Sequence, residues 1–132
     1  MARAAATFLM FQEGDAEEAM NVYVGLFPGS RIRTLERYGP GEPGPEGTVK
    51  RAEFTVAGHE MMAFDSPMKH AFGFTPAVSL FIVCENEAEL DAAFARLSEG
   101  GQVMMPVDAY EFSPRFGWAL DRFGVSWQLS LA

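Results

Sequence analysis

The strongest constraint in this sequence is that it repeats. When the chain is slid along itself so that Phe8 falls on Ser79, residues 8–32 (FLMFQEGDAEEAMNVYVGLFPGSRI) pair with residues 79–103 (SLFIVCENEAELDAAFARLSEGGQV) without a gap. Leu9/Leu80, Glu18/Glu89, Leu26/Leu97 and Gly29/Gly100 are identical, while Phe11/Ile82, Asp15/Asn86, Tyr23/Phe94 and Ile32/Val103 keep their chemical character. These are the positions that punctuate structure, and a repeat of this kind governs the reading of the whole fold.

In each copy a short apolar strand is followed by an Asp or Asn with a Glu three residues on, Asp15 with Glu18 and Asn86 with Glu89. That pattern predicts a capping box at the start of both helices, the cap oxygen accepting from a first-turn N–H while the Glu reaches back. Ala19, Tyr23 and Leu26 then share one helical face, as do Leu90, Phe94 and Leu97. Pro28–Gly29 and Gly100–Gly101 are the expected helix ends. Strand-like segments follow at Arg31–Tyr38, Val49–Val56 and Glu60–Phe64 in the first half, and at Gln102–Met105, Phe116–Asp121 and Ser126–Leu131 in the second. Each half is therefore read as β-α-β-β-β, module one over 5–66 and module two over 77–132, joined by an aromatic linker, 67–76. The glycine- and proline-rich stretch Gly39–Gly47 is expected to be a mobile connection.

A half of about 60 residues with one helix cannot hide both faces of a four-stranded sheet, so the fold expected is α+β, the two modules forming a shared curved sheet around a cavity. Composition limits what that cavity serves. A net charge of −8 repels phosphate backbones and anionic headgroups, which argues against nucleic acid and membrane surfaces as partners. The longest apolar run, Ala4–Phe11, falls far short of the roughly 20 residues of a membrane span and is not followed by a processing site. The single cysteine, Cys84, excludes an internal disulfide and a Cys-based zinc site, so cytoplasmic residence is the expectation.

Chemistry-bearing residues are few. Cys84 has no histidine near in sequence and reads as a buried thiol. His59 reads as a solvated turn residue, whereas His70, in the linker, is a candidate for proton transfer or a substrate hydrogen bond. Asp65, Tyr110 and Glu111 are the other proton-transfer candidates. Alternation along strands puts Phe8 and Met10 on one side, and Ser79, Phe81 and Val83 likewise. Trp118 and Trp127 lie on the last two strands.

Duplicated β-α-β-β-β units resemble the vicinal oxygen chelate superfamily of glyoxalases, extradiol dioxygenases and bleomycin-resistance proteins. The stretches at 8–32 and 77–101, with MMAFDS and GWALDRFGVSWQLS, are similar to its PhnB-like group, catalogued as the 3-demethylubiquinone-9 3-methyltransferase domain. The resemblance implies four metal-ligand places, one on the first and one on the last strand of each half. They fall at about Phe8, Met62, Ser79 and Gln128, where a phenyl ring offers no donor, a thioether prefers soft ions and a hydroxyl is a weak ligand. No metal and no other cofactor are therefore expected. Ser79 and Gln128, polar amid apolar strand neighbours, are expected to meet a ligand together with Phe8, Met10, Met62, Phe81 and Trp118.

The expected function is a metal-free protein that binds a small apolar or aromatic molecule between its modules, in the manner of antibiotic-sequestering relatives. A lyase-, isomerase- or dioxygenase-type enzyme using a metal or His70 is the alternative. Methyl transfer is disfavoured because both strand–helix junctions, Gln12–Asp15 and Cys84–Asn86, lack the glycine-rich turn that binds a methyl donor. A third possibility is a protein whose main surface is its own interface. The resemblance also implies a homodimer.

Overall fold

A computed structural model describes residues 1–132, which divide into two units, 1–73 and 74–132. The first contains β1 (Thr7–Phe11), α1 (Ala16–Val24), β2 (Arg31–Arg37), β3 (Val49–Val56) and β4 (His59–Asp65). The second contains β5 (Ser79–Cys84), α2 (Glu87–Ser98), β6 (Gln102–Tyr110), β7 (Ser113–Leu120) and β8 (Ser126–Leu131). Each is the expected β-α-β-β-β unit. The strand orders are the same, β1-β4-β3-β2 and β5-β8-β7-β6, with the first and last strands of each unit paired in parallel.

Each sheet turns one face to its helix. In the first unit Leu9, Phe11, Phe54, Met61 and Ala63 are buried beneath Ala19, Met20 and Tyr23 of α1. In the second, Ile82, Ala119, Trp127 and Leu129 are buried beneath Leu90, Phe94 and Leu97 of α2. Full burial of such side chains stabilises by about 2 kcal/mol each. Gly117 is part of this packing, because a Cβ there would lie 2.5 Å from the Phe94 ring.

The helix caps differ from the expectation. Asn86 accepts from Glu89 N at 2.9 Å, but Glu89 reaches back to Glu85 N at 3.2 Å rather than to the cap residue itself. At α1 the side chain of Asp15 makes no cap bond. The first-turn donor Ala16 N goes instead to Asp65 Oδ1, at the end of β4, at 3.0 Å. A cap supplied by the neighbouring strand ties the helix start to the sheet, which a local cap cannot do. The end of α1 also comes early: Gly25 N and Leu26 N bond to carbonyls three residues back, tightening the last turn before Pro28.

Two further segments depart from the reading. β6 runs on to Tyr110 because register shifts on either side of Pro106 let the strand continue past a residue that cannot donate to the ladder. Gly39–Gly47, expected to be mobile, is tied down. Glu42 accepts from Gly39 N at 2.7 Å and pairs with Lys50, and Gly47 N donates to Tyr38 O at 2.9 Å. Tyr38 is buried flat against Gly44, where a Cβ would come within 2.3 Å of its ring. The absence of side chains is what allows the ring to lie there.

Candidate functional site

The faces turned away from the helices carry the candidate residues. In the first unit the parallel register sets Phe8 beside Met62 and Met10 beside Phe64. Phe8 is 57% exposed, and its ring lies 5.2 Å from that of Phe64. Next to this apolar strip the face becomes charged: Arg33 and Glu60 form a two-pronged ion pair, and Glu53 accepts from Thr34 Oγ1. A concavity of about 440 Å³ lies there, lined by Ala5, Arg33, Glu53, Glu60 and Met62 among others.

In the second unit the outer face is more aromatic. Phe81, 57% exposed, stands 6.4 Å from Phe116, which packs edge-on against Tyr110 and Phe112 at 5.8 and 4.8 Å. Beside the rings runs one chain of hydrogen bonds. Trp118 Nε1 donates to Ser126 Oγ at 2.9 Å, Ser126 Oγ meets Ser79 Oγ at 2.6 Å, and Gln128 Nε2 donates to Ser79 Oγ at 3.2 Å. Ser79, Gln128 and Trp118, singled out from sequence, are thus brought together, while Ser126 was missed. Ser79 is paired directly with Ser126, and Gln128 with Phe81. The signal was available in the alternation Ser126, Gln128, Ser130, three polar residues two apart on one strand face.

The proton-transfer candidates have other partners. Asp65 is 2% exposed, and its carboxylate accepts from Ala16 N and, at 2.8 Å, from Val49 N. It serves the fold of the first unit. His70 is exposed, stacked on Phe72 at 5.0 Å, with Nε2 3.3 Å from Ser66 Oγ. Ser66 Oγ in turn donates to Met68 O at 2.7 Å, so the pair is a turn motif without a relay to a carboxylate. The linker around it is held to the first unit by Gln12, which accepts from His70 N and donates to Phe72 O. Tyr110 donates its hydroxyl proton to Pro106 O at 2.7 Å, and Glu111 lies exposed in the β6–β7 turn. His59 opens β4, with Nε2 2.8 Å from Thr7 Oγ1. Cys84 is fully buried; burial first, and then the nearby Glu89 carboxylate, pushes its thiol up to about 11.

The residues at the implied metal-ligand places do not fit a hard divalent ion. Phe8 and Met62 are strand neighbours with no oxygen or nitrogen donor between them, and the Ser79 hydroxyl is engaged with Ser126 and Gln128. No group of three His, Cys, Asp or Glu side chains converges elsewhere. No helix is long and apolar enough to cross a membrane.

Two β-α-β-β-β modules, each with a helix on one sheet face and candidate residues on the other, define the vicinal oxygen chelate class of fold. Within it, the sequence profile of the 3-demethylubiquinone-9 3-methyltransferase family matches residues 3–130, and the chain belongs to that family, the PhnB-like group. It is 51% identical to a PhnB protein from Bacillus cereus, over 98% of this chain and 100% of that one, with a TM-score of 0.94. A protein from Pseudomonas aeruginosa is 26% identical over 98% of both chains, with a TM-score of 0.76. The fosfomycin resistance protein FosX of Mesorhizobium loti shares the fold at 11% identity, covering 100% of this chain and 93% of its own, with a TM-score of 0.65. No curated protein matches the sequence.

Proposed function

We propose that this chain binds a small apolar or aromatic molecule without a resident divalent metal, and that the outer face of the second sheet supplies the main contact surface. The observation that carries the reading is the pair of exposed rings, Phe81 and Phe112, packed against the buried Phe116 and set beside the polar chain from Trp118 to Gln128. Rings left in water lose the gain of burial, and contiguous apolar surface with a few fixed polar groups is what small-molecule sites are made of. Phe8, Met10 and Met62 give the first unit a second, smaller apolar strip of the same kind.

Methyl transfer, the reaction in the family's description, finds little support in this chain's junctions. Gln12 is engaged with the linker and Asn86 with its own helix, and neither junction offers a glycine-rich cradle of free N–H groups. The reading includes a cytoplasmic homodimer, tested by sedimentation equilibrium; a monomer at every concentration refutes that part.

The binding claim is tested by a thermal-shift screen of small aromatic compounds, with metal analysis of the dialysed protein. Some members of the panel should raise the melting temperature, and Ser79→Ala should reduce that rise. Stoichiometric nickel, zinc, iron or manganese surviving dialysis would sink the metal-free claim. No shift with any compound, together with stabilisation by Ser79→Ala and Gln128→Ala, would make the face plain structural surface.

A further inference from the structure

We propose that the polar strip on the second sheet selects a neutral ligand in which a carbonyl adjoins an N–H, an aromatic carboxamide or lactam. This rests on the reading of that face as a ligand surface, and follows from counting protons along the strip. An indole N–H only donates, so Ser126 Oγ accepts from Trp118. Ser126 is 2% exposed, and the one acceptor facing its hydroxyl is Ser79 Oγ at 2.6 Å. Its proton therefore points to Ser79, since the opposite sense would leave a buried O–H unpaired. Ser79 Oγ accepts again from Gln128 Nε2. With two donors already on this oxygen, the Ser79 proton has no acceptor in the protein, and Gln128 Oε1 has no donor.

Both residues are half-buried, so the strip ends in one outward donor and one outward acceptor. None of the outward positions of β5, β7 or β8 is charged, and the one charged residue that β6 sets opposite them, Asp108 across from Phe116, is acidic, so a carboxylate has no counter-ion there; an ammonium group, which only donates, cannot accept from Ser79. A neutral group with the complementary pair satisfies both ends: its carbonyl accepts from Ser79 O–H, and its N–H donates to Gln128 Oε1. The aromatic body would lie on Phe81 and Trp118.

The test is isothermal titration of 2-naphthamide and 2-acetylnaphthalene, nearly identical in shape, the second with a methyl group in place of NH₂. The wild-type preference for the amide over the ketone should fall about fivefold in Gln128→Met, the size of one net neutral hydrogen bond. Ser79→Ala should weaken both compounds by a similar factor, since both carry the carbonyl. Should Gln128→Met fail to fold, Gln128→Leu reads the same ratio and Ser79→Ala reads the carbonyl contact alone. An amide-to-ketone ratio unchanged by loss of Gln128, or tighter binding of 2-naphthoate than of the amide, overturns the inference while leaving the ligand surface standing. Failure of all three compounds to bind overturns both.

Discussion

Removing the carboxylate of Asp65 should destabilise the protein far more than removing that of Asp15, although Asp15 is the residue in the cap position. Asp65 Oδ1 and Oδ2 accept from Ala16 N at 3.0 Å and Val49 N at 2.8 Å, and both donor residues are fully buried. Asp65→Ala takes the acceptor from two buried donors, and at about 1–3 kcal/mol for each orphaned N–H the expected loss is about 2–6 kcal/mol. That is a large part of the roughly 5–15 kcal/mol by which domains are stable. Asp65→Asn keeps one acceptor oxygen and should lose about half as much. Asp15→Ala removes a side chain that makes no cap bond and leaves the Ala19 N bond to the residue-15 carbonyl in place, so it should cost under about 1 kcal/mol. Urea unfolding followed by far-ultraviolet circular dichroism measures all three, with an unchanged m-value showing that the compared states are the same. Equal losses for Asp65→Ala and Asp15→Ala, or a loss under about 1 kcal/mol for the former, would refute the assignment of the cap to the strand.

Three further outcomes follow from the structure. The Asp15 carboxyl is raised above its ordinary value of 3.8, first by burial and then by neighbouring carboxylates, so its ionised form weakens the fold. That penalty is present above the folded-state value and is relieved as pH falls through it towards 3.8; Asp15→Asn should therefore raise the melting temperature at pH 7, and the gain should vanish near pH 3.5–4. A gain that persisted there would contradict the assignment. Gly101→Ala places a Cβ 2.0 Å from Leu120 O, a backbone atom, and should cost about 2–3 kcal/mol, whereas Gly73→Ala meets nothing within 4 Å and should stay within about 0.5 kcal/mol by the same unfolding assay. Cys84, with its thiol near 11, holds about one thiolate in a thousand at pH 8. Ellman's reagent should leave it unmodified in the native protein and react fully in denaturant; rapid native labelling would show that the β5 end opens.

The repeat was enough to write down both modules, because Leu9/Leu80, Tyr23/Phe94 and Gly29/Gly100 recur where strand, helix face and turn require them. Those are local demands of periodicity and backbone conformation, and they need only neighbours in sequence. Which side chains share a strand face was legible for the same reason: alternation selects a face whatever lies across from it. Register is not a local property. Only the pairing of β5 with β8 put Ser126 beside Ser79, and only with the β7–β8 register added were Trp118 and Gln128 joined into one hydrogen-bonded strip. Tertiary structure likewise made Asp65, a candidate proton-transfer group by sequence, the cap of a helix 49 residues earlier, because a buried N–H takes the acceptor nearest in space.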